Sequence, residues 1–137
     1  SIIDERKEKI EIERESILSA REEFQSIEPL LEDIEEESLR SIGEEMYQVM
    51  MERYDTYDEL YEAYDQSLEL ETELYTLFQE EGVEESELNE HIESINDTYE
   101  KVIAANDLFN ELTKKYNHLK EEFYKEADIK VIFEEEA

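Results

Sequence analysis

The chain has no cysteine and no tryptophan, and only one proline and two glycines in 137 residues. Without cysteine it can form no disulfide, offers no thiol nucleophile and supplies no thiolate to a metal, while the compartment stays open. With so few prolines and glycines, little interrupts a helix. Cations are scarce too: 13 Lys and Arg face 43 Asp and Glu, a formal charge of −30. Neutralising phosphates takes a basic face, so a nucleic-acid partner is excluded, as is adhesion to an anionic bilayer by charge. No apolar run approaches the roughly 20 residues of a membrane span, and the opening residues do not have a signal-peptide pattern.

Such a charge usually marks disorder. Two features oppose that here. Nine Tyr and five Phe are too many for a solvating acidic tail. The apolar residues also recur with helical spacing, which a disordered chain does not need.

The first recurrence is Ile3, Ile10, Ile17, Phe24, Leu31, one residue per heptad, with Ala20, Ile27 and Ile34 between. It predicts a coiled-coil helix over about residues 1–35, polar at its start where Arg6 and Glu13 take seam positions. Pro29 predicts a break near 26–29, because it removes a helical donor and restricts Glu28. The run Glu35-Glu36-Glu37 reads as a solvated turn, and Ser41 with Glu44 has capping-box spacing. A second helix is expected over 39–81, its seam passing through Met46, Met50, Tyr54, Tyr57, Tyr61, Tyr64 and Leu68. Gly82 suits the left-handed residue that closes a helix. Ser86 can cap a third helix over 86–127, with a seam through Ile92, Ile95, Tyr99, Val102, Asn106, Phe109, Thr113 and Tyr116. Residues 128–137, with β-branched Ile129, Val131 and Ile132, are expected as a short extended tail.

Long helices joined by about four residues run antiparallel. The fold class expected is therefore all-α: a long antiparallel helical hairpin, or an elongated three-helix coiled-coil bundle. A turn centred near residues 83–85 makes facing residue numbers sum to roughly 168. Charge along the chain is uneven. Residues 41–100 hold 20 acidic groups and a single cation, Arg53.

Asn106, Asn110, Thr113 and Asn117 share one helical face, and the register sets them opposite Tyr54, Tyr57 and Tyr61. This band has two readings. Buried amides hydrogen-bonded to phenols would fix register, at some cost in stability. Exposed, the same residues would form a ligand groove, stacking sugars or peptide on rings and bonding them through amides.

Catalytic patterns are missing. There is no glycine-rich phosphate loop and no Gly-x-Ser-x-Gly elbow. The di-iron Glu-x-x-His motif fails at both histidines, with Leu88 before His91 and Lys115 before His118. No 12-residue calcium loop occurs. Carboxylates are so abundant that their pairing is best read as a solvated face. No catalytic residue, cofactor or metal ligand is expected.

The stretch Glu52-Arg53-Tyr54-Asp55-Thr56-Tyr57-Asp58-Glu59-Leu60-Tyr61-Glu62-Ala63-Tyr64 resembles the central helix of the YkyA-type cell-wall binding lipoproteins of Gram-positive bacteria. Further similarity lies in Ile95-Asn96-Asp97-Thr98-Tyr99, in Asn106-Asp107-Leu108-Phe109-Asn110, and in Thr113, Tyr116-Asn117 and Phe123-Tyr124-Lys125. Phe24-Gln25-Ser26-Ile27-Glu28-Pro29-Leu30 looks like that family's first-helix end. The resemblance covers roughly residues 15–133 and includes no catalytic motif. It implies an exported protein at the outer face of the cytoplasmic membrane or cell wall, tethered by a lipid on a cysteine that this sequence lacks.

The expected function is a non-enzymatic envelope module, binding a wall polymer or envelope protein or acting as a spacer. The alternative is an intracellular coiled-coil adaptor for a protein partner. Anionic wall polymers would repel this chain within a Debye length of about 8 Å, so attraction by simple charge is not the route to a wall.

Overall fold

The computed structural model describes the backbone of residues 2–136 and the side chains of residues 2–128. Four helices follow one another: α1 (Ile2–Gln25), α2 (Glu28–Glu32), α3 (Glu37–Gln79) and α4 (Glu85–Glu136). No strand occurs among the described residues. The chain divides into two compact units, Ser1–Ser16 with Thr56–Leu108 and Ile17–Asp55 with Phe109–Ala137.

The breaks follow from local chemistry. A turn at Ser26 and Ile27 separates α1 from α2, and Pro29 sits in the first turn of α2, where its missing N–H costs nothing. Arg40 donates from Nη1 to the carbonyl of Ile34 at 3.2 Å, tying down the loop into α3. That helix starts at Glu37, ahead of the Ser41 capping box, so Ser41 lies inside the helix. Gly82 has φ +81, the left-handed conformation expected of it. Ser86 likewise lies inside the first turn of α4, which begins at Glu85.

The expected extended tail is corrected, because α4 continues to Glu136. β-Branched residues disfavour helix by only about half a kcal/mol each, and an established helix propagates unless glycine or proline stops it. Neither residue occurs after Gly82.

In the first unit, α1 runs antiparallel to α3: Arg6 reaches Tyr64 and Glu71, and Arg14 reaches Asp58. The α3–α4 hairpin is antiparallel too. His91 Nε2 lies 2.8 Å from the Leu70 carbonyl, and near the expected sum of 168 Ala63 shares a groove with Ala105 and Arg53 reaches Thr113. Leu68 and Ser67 are fully enclosed, the Ser67 hydroxyl donating to the Tyr64 carbonyl at 2.6 Å.

In the second unit, Phe24 stacks on Tyr47 with centroids 5.5 Å apart and meets Tyr54 and Tyr116 edge-on at 6.3 Å. Val49, Leu112 and Leu119 form its apolar core, with Met46 and Tyr116 packed against them. Gly43 permits a close approach here. A Cβ at this position would lie 3.0 Å from Leu31 Cδ2 and 3.4 Å from Phe123.

Register along the chain agrees with expectation, but rotation about the helix axes does not. The inward line of α4 is Ile95, Thr98, Val102, Ala105, Phe109, Leu112, Tyr116 and Leu119, each buried or half-buried in its own unit. Every second position therefore lies one residue before the expected Tyr99, Asn106 and Thr113. Thr98 and Ala105 are buried but small, and their modest hydropathy hides them in a search for bulky apolar residues. On α3 two adjacent lines are covered. Tyr57, Tyr61, Tyr64 and Glu71 engage α1, whereas Ala63 and Leu70 engage α4.

Candidate functional site

The tyrosine–amide band does not form as a single feature. Tyr54 is buried in the second unit beside Phe24. Thr113 is half-buried in that unit, accepting from Arg53 Nε at 2.7 Å and donating to the Phe109 carbonyl at 3.0 Å. Asn110 and Asn117 are exposed. Asn106 is exposed as well, so none of the three asparagines occupies the core position that fixing register requires. Ala105 and Leu112 take those positions, because the inward line of α4 is rotated by one residue.

Three members of the band do converge in the first unit. Tyr57, Tyr61 and Asn106 line a cleft of about 410 Å³ that opens among α1, α3 and α4. Tyr64 and Leu60 complete its α3 wall, Ile10 and Glu13 come from α1, and Val102 and Ile103 flank Asn106 on α4. Its volume falls within the range of small-molecule sites, and its walls are aromatic and aliphatic with two polar groups.

Heptad chemistry places these side chains. Tyrosines at alternating steps of three and four point to one helical face, and α1 covers that face with polar rather than apolar residues. Glu13 accepts a hydrogen bond from Tyr57, and Glu11 accepts one from Tyr61. Arg14 lies over the Tyr61 ring at 4.2 Å and pairs with Asp58 at 3.2 Å. Arg6 lies over the Tyr64 ring at 5.4 Å, donates to its hydroxyl at 3.0 Å and pairs with Glu71 at 3.1 Å.

The phenols respond to these surroundings. Burial, followed by the charge and hydrogen bond of Glu13, pushes Tyr57 up to about 12. The hydrogen bond to Glu11, followed by burial, pushes Tyr61 up to about 12. Both stay neutral donors across the physiological range, so neither is an activated nucleophile or general base. Among the described residues, no group of three His, Asp or Glu side chains is arranged to hold a metal ion. No helix among them is long and apolar enough to cross a membrane.

Sequence reasoning named Tyr57, Tyr61 and Asn106 but missed the other cleft residues. The overlooked signal was on α1. Arg6 and Glu13 on an otherwise apolar heptad line are polar knobs that need polar partners, and the tyrosine face supplies them.

Comparison with known proteins adds a lineage to this geometry. The family model described as "YkyA: Putative cell-wall binding lipoprotein" matches residues 1–126. A protein of Bacillus subtilis (strain 168) named "Uncharacterized lipoprotein YkyA" is 29% identical over 129 residues, covering 94% of this chain and 58% of that protein. The chain thus spans little more than half the length of that relative. No solved structure matches. Helical chains share heptads easily, but a match over nearly the whole length is more specific: this chain belongs to the YkyA family.

Proposed function

We propose that the chain is a non-enzymatic module of a lipid-anchored envelope protein, displayed outside the cytoplasmic membrane as a binding or spacer unit. The observation that carries this reading is the family match over residues 1–126, whose description names cell-wall binding and a lipoprotein. The geometry agrees with it. The first unit offers helical surface and an aromatic cleft, and its perturbed phenols are poised as neutral donors rather than for bond-making chemistry. Of the tyrosine–amide band, we take the cleft residues Tyr57, Tyr61 and Asn106 as the part of the molecule that meets a ligand.

Location and binding are tested separately. Protease added to intact Gram-positive cells should digest the full-length native protein, and the protein should partition into detergent with the membrane fraction. Full protection in intact cells would overturn the envelope reading and favour the intracellular adaptor. The purified chain should be retained on isolated cell wall at physiological ionic strength. Retention should not weaken as salt is raised, since the net charge of −30 opposes contact with an anionic polymer rather than driving it. A chain that is digested on intact cells but not retained on wall is a spacer.

A further inference from the structure

The cleft in the first unit combines features that none of its residues has alone. Three tyrosines, Tyr57, Tyr61 and Tyr64, contribute to one wall, and the Glu13 carboxylate stands beside them. Aromatic faces carry negative quadrupolar charge and attract cations, most strongly where water is excluded. This protein already uses that property twice at the same place: the guanidinium of Arg14 lies 4.2 Å from the Tyr61 centroid, and that of Arg6 lies 5.4 Å from the Tyr64 centroid. Both arginines are matched by acids, Asp58 and Glu71, so they add no net charge to the neighbourhood. Glu13 differs, because the Tyr57 hydroxyl that donates to it is neutral and leaves the carboxylate charge in place. Ile103, 60% exposed, forms an apolar rim beside exposed Asn106.

We propose that this cleft binds a compact organic cation of the alkylammonium class, with its alkyl groups on Ile103 and the tyrosine rings and its charge facing Glu13. The chemistry excludes the opposite sign: a carboxylate or phosphate would meet the ring faces, Glu13 and a chain of net charge −30. Uncharged sugars would find rings for stacking, but few polar groups for their hydroxyls, since Glu13 and Asn106 are the only non-aromatic polar residues of the lining. The proposal rests on the reading of this cleft as the ligand-meeting part of the molecule and gives it a ligand class; its test uses the purified chain, so it can fail while the envelope location holds, and the reverse.

The test titrates the full chain with tetramethylammonium chloride, using tert-butanol as an uncharged probe of similar size and sodium chloride to match ionic strength. Tyrosine ring and isoleucine methyl resonances report binding. Saturable shifts are expected at Tyr57, Tyr61, Tyr64 and Ile103 with the ammonium ion, and binding roughly five- to tenfold weaker with tert-butanol. Glu13→Gln keeps an acceptor for the Tyr57 hydroxyl but removes the charge. It should weaken ammonium binding about fivefold without moving the thermal midpoint. Ile103→Lys places a cation on the rim and should weaken it at least as much. Equal binding of tert-butanol would reduce the cleft to an apolar hole and overturn the proposal. So would non-saturable shifts spread over all acidic surfaces, the absence of any shift, or unchanged ammonium binding in Glu13→Gln.

Discussion

The same three helices build both units with the same heptad period, yet the chemistry at equivalent positions differs. In the second unit, α1 inserts Phe24 among Tyr47, Tyr54 and Tyr116, beside a core of Val49, Leu112 and Leu119. In the first unit, α1 approaches the tyrosine face with Arg6, Glu11, Glu13 and Arg14, and no residue of α1 is fully buried. Apolar burial is non-directional and worth about 25 cal/mol per Å², whereas exposed ion pairs contribute only about 0–1 kcal/mol. The contact made by α1 is therefore apolar in the second unit and polar and directional in the first, where it leaves room for a cleft, while the first unit's own buried residues, Tyr57, Leu68, Ile95 and Ala105, lie on α3 and α4.

Leu119→Ala attacks the packed core and should have the largest effect. It removes a 94% buried side chain and should cost about 3 kcal/mol, read as a lowered urea midpoint. A loss below about 1 kcal/mol would mean that the core of Val49, Leu112 and Leu119 is loosely packed.

Gly43→Leu tests close approach in the same unit. The added side chain collides with Leu31 and Phe123, and overpacking should cost about 2 kcal/mol. The matched control is Ala104→Leu on the exposed groove of the first unit, which should stay within about 0.5 kcal/mol of the parent.

Alkaline pH should act more strongly on the first unit, which holds the two largest phenol shifts, than on the second, where Tyr47 and Tyr116 are also raised. With Tyr57 and Tyr61 at about 12 in the folded protein and near 10 when unfolded, folding favours the neutral phenols. Their contribution is complete below pH 10 and disappears as pH rises from 10 to 12. Hydrogen exchange in residues 2–16 should accelerate over that window before it does so around Leu112 and Leu119. Phenolate absorbance should reveal a late-titrating fraction that shrinks in the Tyr57→Phe, Tyr61→Phe double variant without vanishing, because burial also pushes Tyr47 and Tyr116 up. Simultaneous loss of protection in both segments would remove the contrast between the units.

Arg14→Ala should do least. Its pair with Asp58 and its stacking on Tyr61 are partly solvated, so the loss should stay below about 1 kcal/mol and shrink further in high salt.

Much of this molecule was legible in the residues. The spacing of Ile3, Ile10, Ile17 and Phe24, the break at Pro29 and the left-handed Gly82 are local consequences of side-chain period and backbone sterics, and each appears where expected. The antiparallel hairpin register follows from the shortness of the loop. The site was less legible, because a seam read by bulky hydropathy mistakes Asn106 for an inward residue and passes over Ala105.

The difference lies in what each level of structure constrains. Helix period, the break beside Pro29 and the left-handed turn at Gly82 depend on residues within a few positions of one another, so the sequence alone determined them, whereas it placed the end of α4 too early. Rotation of each helix about its axis depends on which neighbours share its surface, and a turn of about 100° per residue makes a one-residue error decisive. Only the tertiary structure decided that the tyrosine face of α3 meets the arginines and glutamates of α1. That pairing left Ala63 to face Ala105 across the α3–α4 hairpin, and it opened the cleft beside Tyr57 in which Asn106 takes part.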